Sequence, residues 1–553
     1  MIRLFFLLLF ALIIQVAVSQ TMIWSKHQIS FQSSKTYNNP IYEVSDFKVT
    51  FTAPSGREKQ VCGFWDGGTD WKVRFLPDET GTWKWKTECS DSTNSGLQNQ
   101  AGEFVCVGNS SSEAVFSKGA IRHEAGKYYL SYSDGTPFFW LACTAWNGAL
   151  KSSDEEWEYY LNQRKQNQYN VIQLVTTEWR GCDKNAEGLT AIEGKEKIRI
   201  HPEFFKRIDQ KIDEANAKGL LVSPVILWAL PSGPGRELSP GYALPTEEAI
   251  LLAKYIVARY QGNHVIWALG GDGQYYGDQE EKWKAIGRQV FLSINHAPVT
   301  LHPHGSSWIG ELYAQEDWYD VMGYQSSHSN GKGVVNWINK GPMSQMWKKL
   351  KPMPYINLEP NYEEIGFKIT AEDVRNASYW SIFATPVAGV TYGANGVWPW
   401  LRPGERILNH GDSGGVTGWR KSIDFPGSIQ MSYLAGFIQQ FEWWNLFPAN
   451  EILAQQPGEE TYNHWISVVK TPDDKTIIAY IPKKGEVTIF NPRGIEYTAQ
   501  WFNPVSNKYS SAKITQTIAQ NSKRKMKDDI QGANTITFTH DFENDMLMVL
   551  TEK

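Results

Sequence analysis

Cysteine is scarce in this chain: five residues among 553, an odd number that cannot all pair internally, so no disulfide framework holds the fold. One bridge among Cys62, Cys89 and Cys106 is compatible with that count, and so are free buried thiols. An excess of one charge is also missing. Fifty-four basic against 59 acidic residues leave a net −5, which excludes an electrostatic pull toward nucleic acid or anionic lipid. Long apolar runs are absent after the first residues. There, Arg3 precedes an unbroken apolar stretch from Leu4 to Ile14, and Ala17, Val18 and Ser19 follow in a small-x-small pattern. The stretch falls short of the ~20 residues that span a bilayer. Residues 1–19 are therefore expected to be a signal peptide, the protein secreted or periplasmic, and no membrane partner to remain after cleavage.

At this length and 20% charged residues, two or three globular domains are expected. Residues 20–108 consist of short alternating segments broken at Asn38-Asn39-Pro40, Pro54-Ser55-Gly56, Asp66-Gly67-Gly68, Pro77-Asp78 and Thr80-Gly81. Turns at that spacing predict an N-terminal β-sandwich. Gly108 to Ser112 reads as a polar linker, and Tyr128 to Ser131 as part of a hairpin turning at Asp134-Gly135. From about Glu460 strands return, at Trp465–Val469, Thr476–Tyr480, Glu486–Phe490, Tyr497–Phe502 and Thr535–Thr539, and predict a C-terminal β-sandwich over 460–553. The basic run Lys523-Arg524-Lys525 is short and reads as a solvated loop.

Between these, over 115–455, apolar runs alternate with helical segments of ten to fifteen residues. The runs are Phe138–Thr144, Val171–Thr176, Leu220–Leu227, Val265–Gly270, Pro298–His302, Val321–Gln325, Tyr355–Leu358 and Gly389–Tyr392. Eight is the number a (β/α)8 TIM barrel requires, so the fold class is α/β with a flanking β-sandwich at each end. Helix signals agree: Asp154 as a cap, Pro202 opening a helix that stops at Gly219, and Pro245-Thr246-Glu247 opening another.

Barrel enzymes carry their chemistry at the C-terminal ends of the strands. The fourth run leads through Gly270 and Gly271 into Asp272, and the seventh into Glu359. Hydrolysis of a glycosidic bond needs such a pair, one carboxyl to protonate the leaving oxygen and one to attack the anomeric carbon or activate water. Asp272 and Glu359 are the catalytic candidates.

Several stretches carry a resemblance: Phe139-Trp140-Leu141 with Thr144-Ala145-Trp146, Ile266-Trp267 with Gly270-Gly271-Asp272, Leu301-His302-Pro303, Tyr324-Gln325-Ser326 with His328, and Glu359-Pro360-Asn361-Tyr362-Glu363. Over about 115–450 the chain resembles the apiosidase-like family of glycoside hydrolases, retaining barrels with catalytic acids after strands 4 and 7. By position the resemblance makes Asp272 the acid/base and Glu359 the nucleophile, and implies no cofactor. The segments around Asn39-Pro40, Phe51 to Gly56 and Gly63 to Gly68 are similar to the sandwich that often precedes these barrels, and the C-terminal domain is similar to a module loosely labelled collagen-binding. One departure stands out. The family usually has Gly-Asp-Thr-Ala-Trp after the first strand, whereas this chain has Ala142-Cys143-Thr144-Ala145-Trp146, which predicts a missing carboxylate contact to the substrate; Cys143 also reads as a buried core thiol with no functional part.

Of twenty-four tryptophans, Trp146, Trp179, Trp228, Trp308, Trp398 and Trp400 fall at or just beyond strand ends, where a ring can stack on a sugar face or serve as core. Of these, Trp146, Trp179 and Trp398 join His302, Gln325, His328 and Tyr362 as substrate-binding candidates. His302, His304 and His328 also admit a metal-site reading, but the first strand supplies Cys143 and Asn147 and no histidine ligand. The partner expected is a plant or algal carbohydrate. A carbohydrate-binding protein with a decayed barrel is the competing class, suggested by Cys143 and by an aspartate where many related barrels have glutamate; the sequence does not determine the oligomeric state.

Overall fold

The computed structural model describes residues 20–410, 417–517 and 534–553. The signal segment 1–19 and the run Lys523–Lys525 lie outside the described residues.

Eight parallel strands form the central sheet: β1 (Trp140–Thr144), β2 (Val171–Val175), β3 (Leu221–Trp228), β4 (Trp267–Gly273), β5 (Val299–Pro303), β6 (Met322–Gln325), β7 (Tyr355–Glu359) and β8 (Gly389–Ala394). Their hydrogen-bonded order is β5-β4-β3-β2-β1-β8-β7-β6, and the Thr300–Val321 bridge joins the two ends into a barrel. Side chains alternate along each strand. On β1, Trp140 and Ala142 enter the lumen core with Val171, Leu221, Ile266 and Ile356, while Leu141 and Cys143 face the helix layer. Trp140 Nε1 donates to Thr391 Oγ1 at 3.0 Å, which satisfies the polar atom that so large a lumen residue brings inside.

The main helices of the outer layer are α1 (Asp154–Gln166), α2 (Pro202–Ala217), α3 (Thr246–Tyr260), α4 (Glu280–Phe291), α5 (Gly310–Tyr313), α6 (Lys332–Lys340), α7 (Ala371–Phe383) and α8 (Pro426–Ile438). Helix α1 is capped by Ser153 and not by Asp154: the Ser153 hydroxyl accepts from Glu156 N, and Glu156 returns a bond to Ser153 N. Pro202 occupies the first turn of α2, and Gly219, at φ +79°, takes the left-handed turn after it.

The N-terminal sheets order as Gln20–Met22, Ala101–Val107, Gly81–Cys89, Phe47–Thr52, Glu58–Cys62 in one layer and His27–Gln32, Asp70–Phe75, Phe64–Gly67 in the other. Arg259 of α3, fully buried, fixes this unit to the barrel by pairing with Asp66 at 2.8 Å and Asp209 at 2.7 Å. The Arg74 and Arg259 guanidiniums both approach the Phe64 ring, 5.0 and 4.9 Å from its centre. All five cysteines are free thiols, with Cys62 half-buried and the others buried. The hairpin foreseen near residue 130 is a three-stranded sheet, Ile121–His123, Leu130–Tyr132 and Pro137–Phe138, whose Ile121, Leu130 and Phe138 plug the lower end of the lumen core.

The C-terminal unit packs a six-stranded sheet against a three-stranded one around Ile477, Ile489, Trp501, Phe538 and Leu550. Its best-paired strand, Met546–Glu552, lies between Thr476–Ile481 and Tyr497–Asn503 and was not foreseen from the sequence. Asp545, just before it, forms a buried ion pair with Arg375 of α7 at 2.5 Å.

Candidate active site

The carboxylates ride on irregular strand ends. Where β4 pairs with β5, the register slips on both sides of Gly271, and Asp272 is left at φ +51°, a conformation that costs a non-glycine residue of order 1–3 kcal/mol. A Cβ on Gly270 would stand 2.5 Å from the Tyr275 hydroxyl, and one on Gly271 2.5 Å from the Trp228 ring, so the two glycines let this backbone lie against the aromatic layer. β4 thus begins and ends later than its apolar run, and Asp272 lies within the paired strand. On β7 a second slip pairs Glu359 with Gln325 of β6. Asn357, buried two residues earlier, donates to Ser326 Oγ and Ser381 Oγ at 2.9 and 3.0 Å and anchors the strand below the bend.

Glu359 is buried and held from two sides. His302 Nε2, at the end of β5, stands 3.1 Å from Oε2, and His328 Nε2, after β6, stands 2.9 Å from Oε1. Burial alone would raise the Glu359 pKa, but the close approach of the two imidazoles, His328 in a hydrogen bond and His302 in an ion-pair contact without hydrogen-bond alignment, overcomes it and holds the carboxyl down at about 2. His302 responds in the opposite sense: burial disfavours its cation, the Glu359 contact prevails, and its pKa rises. Asp272 is half-buried and is pushed up to about 7, first by desolvation and then by the Glu359 charge, against the opposing pull of His302, His328 and Arg180. Two carboxyls on one barrel rim are thereby driven apart, one toward the neutral form and one toward the anion, the division of labour that acid–base catalysis uses.

The other candidates from the sequence gather on the same rim. Tyr362 pairs with Gly393 near the end of β8, and its ring lies tilted 4.1 Å from that of His328, whose Nδ1 lies 2.8 Å from the Pro360 carbonyl. Burial, followed by the Glu359 charge, pushes the Tyr362 phenol well above its ordinary value. Gln325 is buried, and its Oε1 has no hydrogen-bond partner. Trp146, Trp179 and Trp398 are 1%, 1% and 6% exposed, so in this conformation they wall the site and offer little ring face to solvent. Trp146 meets His302 edge-on at 5.6 Å, Trp179 lies 4.3 Å from Trp228, and Trp398 6.3 Å from Tyr362. Trp400 belongs elsewhere, stacked on Trp419 at 4.6 Å in the helix layer. His304 turns to Ser307 Oγ at 3.0 Å and Tyr276 Oη at 3.1 Å. Among the described residues, no group of three His, Cys, Asp or Glu side chains gathers as a metal site.

Two features depart from the sequence reading. Cys143 is not on the rim: its outward register aims it at Arg164, with Nη1 3.6 Å from Sγ, so a carboxylate at this position would face a guanidinium and no sugar. The expected loss of a substrate contact is therefore corrected. Arg164 itself is buried against Tyr169, 4.7 Å from the ring centre, and donates to Ile423 O at 2.5 Å. Arg180, which sequence reasoning missed, is buried beside the site, donating to Asn409 O at 2.8 Å and Ser232 O at 3.3 Å. It thereby joins the loop at Ser232 to the loop at Asn409, of which residues 411–416 lie outside the described residues. Its place directly after Trp179 at the end of β2 was the available signal.

The model of the apiosidase-like catalytic domain matches residues 124–445. The chain belongs to the apiosidase-like family. It is accordingly a glycoside hydrolase, and residues 20–90 match a second model, DUF5060, a domain of unknown function. Among solved structures, this apiosidase-like chain is similar to a glycoside hydrolase at 23% identity and TM-score 0.65, over 79% of this chain and 98% of that one. It is likewise similar to a family 5 glycoside hydrolase from Bacteroides vulgatus at 22% identity and TM-score 0.65, over 79% and 93%. A third, from the same organism and provisionally described as a glycoside hydrolase, reaches TM-score 0.71 at 15% identity over 97% and 100%. These likenesses speak for the shared fold. No curated protein matches the sequence. Among the described residues no helix is long and apolar enough to cross a membrane.

Proposed function

We propose that this enzyme is exported and cleaves glycosidic bonds in a plant or algal polysaccharide or oligosaccharide by a retaining mechanism, with Asp272 as acid/base and Glu359 as nucleophile. The observation that carries the reading is the opposed tuning of the two carboxyls, Asp272 raised to about 7 and Glu359 held at about 2 by His302 and His328. Near neutral pH a large share of Asp272 is protonated while Glu359 is an anion. Asp272 gives its proton to the leaving oxygen as a Glu359 oxygen attacks the anomeric carbon, the glycosidic C–O bond breaks, and a glycosyl ester forms. Asp272, now a carboxylate, takes a proton from water; that water attacks the same carbon, and Glu359 leaves as the anion. The two inversions restore the starting configuration.

Retention calls for carboxyls about 5 to 5.5 Å apart, inversion for roughly 6.5 to 9.5 Å. In this reading the bulge at Asp272 would offset a side chain one methylene shorter than glutamate. His302, Gln325, His328 and Tyr362 supply donors and acceptors for sugar hydroxyls, and Trp146, Trp179 and Trp398 the apolar wall. Export rests on the N-terminal apolar segment. The test is a screen of the secreted protein against plant and algal polysaccharides, with product chromatography and NMR of the first-formed anomer. Retained configuration supports the mechanism. Inverted product, with the carboxyls above about 8 Å apart, overturns retention and leaves the glycosidase assignment standing.

A further inference from the structure

Behind the catalytic loops, where the barrel meets the C-terminal β unit, lies a second recess of about 130 Å³. It is lined from three directions. Ser329, Asn330 and Asn361 come from the loops that follow His328 and Glu359; Ile338 of α6 and Ala377 and Trp380 of α7 supply apolar surface; Tyr462, Asn463 and Lys483 come from the segment leading into the C-terminal unit and from that unit itself.

Its polar groups are unequally used. Asp373 is committed to capping α7 through Thr370 N at 2.9 Å and to Asn330 Nδ2 at 3.1 Å, and Glu372 pairs with Lys483 at 2.6 Å. Trp380 Nε1 is spent on Trp465 O, which leaves the ring as plain apolar surface. Asn361 differs. It is 3% exposed, its Nδ2 donates to Asp373 O at 3.2 Å, and its Oδ1 has no hydrogen-bond partner. A buried acceptor left unmatched in a polar recess calls for a donor from outside the protein.

The charge balance narrows that donor. Two carboxylates against one lysine leave the recess slightly negative, which disfavours phosphate and carboxylate ligands. With one carboxylate in an ion pair and the other capping a helix, neither is free to serve a divalent cation. What remains is a neutral compound that offers both hydroxyl groups and a C–H face, and the lining mixes amides, a phenol and an indole edge to match.

We propose that this recess is a sugar-binding subsite shared by the barrel and the C-terminal unit, taking one neutral monosaccharide ring and separate from the carboxylate pair. Because Asn330 and Asn361 follow His328 and Glu359 so closely in the chain, an occupied recess would also brace the loops that hold the nucleophile. The inference does not depend on the roles assigned to Asp272 and Glu359.

The experiment titrates the full-length enzyme with D-galactose, D-glucose, D-xylose, L-arabinose and L-rhamnose, reading tryptophan fluorescence, with sodium phosphate and calcium chloride in parallel. The same titrations are run on the Asn463→Ala/Lys483→Ala variant. At least one sugar is expected to saturate in the wild type and to bind about tenfold more weakly in the variant, the effect of losing roughly one net hydrogen bond. Phosphate and calcium are expected to give no saturable signal. No saturation with any sugar, saturation with phosphate or calcium alone, or equal sugar affinity in a folded variant overturns the proposal. Should the variant fail to fold, a wild-type crystal soaked in the tightest-binding sugar decides: density beside Asn361 and Asn463 supports the subsite, and density only at Glu359 refutes it. Polysaccharide hydrolysis by the wild type is measured separately, so failure of the subsite and failure of the catalytic reading are distinguishable.

Discussion

Replacing His328 by Ala removes a donor 2.9 Å from Glu359 Oε1 and leaves His302, 3.1 Å from Oε2, as the remaining imidazole on this carboxyl. A hydrogen bond to a charged group contributes about 1.5–3 kcal/mol, and one pKa unit corresponds to about 1.4 kcal/mol, so the Glu359 pKa should rise by roughly one to two units. From about 2 in the wild type it would reach roughly 3 to 4, still below the ordinary 4.5, because burial then works against one imidazole instead of two. The assay is kcat/KM from pH 4 to pH 8. The variant should be slower throughout, since the proposed nucleophile is held from one side, and its deficit relative to wild type should deepen by up to about twofold between pH 6 and pH 4 as Glu359 begins to protonate. Stability should move in the same sense. A depressed carboxyl pKa stabilises the fold above its unfolded value and loses that contribution as pH falls through the folded value, so the variant should acid-unfold at a higher pH than wild type. A variant-to-wild-type ratio that stays flat from pH 6 to pH 4, with unchanged acid unfolding, would refute the claim that His328 holds Glu359 as an anion.

The alkaline limb belongs to Asp272: with its pKa pushed up to about 7, kcat/KM should fall tenfold per pH unit above neutrality, and a plateau extending to pH 9 would exclude it as the acid. Gly271→Ala places a methyl 2.5 Å from the Trp228 ring and 2.7 Å from Val225, an overpacking expected to cost about 1–3 kcal/mol of stability in denaturant titrations and to shift Asp272; wild-type stability and rate would contradict the account of the bulge. Asp545→Asn leaves the Arg375 guanidinium buried without its carboxylate, and a loss of about 3–5 kcal/mol is expected in the same titration, whereas a change below about 1 kcal/mol would mean that the ion pair does not anchor the C-terminal unit.

The parts of the molecule most readable from sequence were those with strong periodicity. Largely apolar runs such as Val171–Val175 and Leu221–Trp228, interrupted only by Gln173 and Ser223, are buried on both faces, and this pattern of buried parallel strands marks the barrel. Helix α2 was legible because Pro202 and Gly219 mark its ends. The strand ends were less so. β4 runs through Asp272 because bulged pairing with β5 extends it past the apolar run, and a bulge depends on a partner distant in sequence. Met546–Glu552 escaped notice because it follows the polar stretch Asp541–Asp545 at the chain's end, and its place beside Thr476–Ile481 is a long-range pairing. At the site, the carboxylates and histidines stood out as residue types at strand ends, but their tuning did not. That His302 and His328 grip the two oxygens of one carboxylate follows from three strands meeting in space. Cys143 is the buried core thiol its residue type allows, and the substrate contact expected at its position fails because the alternation on β1 decides which residues face the lumen, one residue of register separating the rim from the helix layer.

The measurement that bears most directly on the central claim is the turnover of Glu359→Gln on whichever polysaccharide the wild type degrades. The substitution preserves size and removes the charge that, in the proposed mechanism, attacks the sugar. The account predicts a folded protein whose kcat falls by about 10⁴ or more, the order reached when a covalent nucleophile is removed. A folded Glu359→Gln enzyme that retains a tenth or more of wild-type turnover would contradict it, whatever the fate of the other residues on the rim.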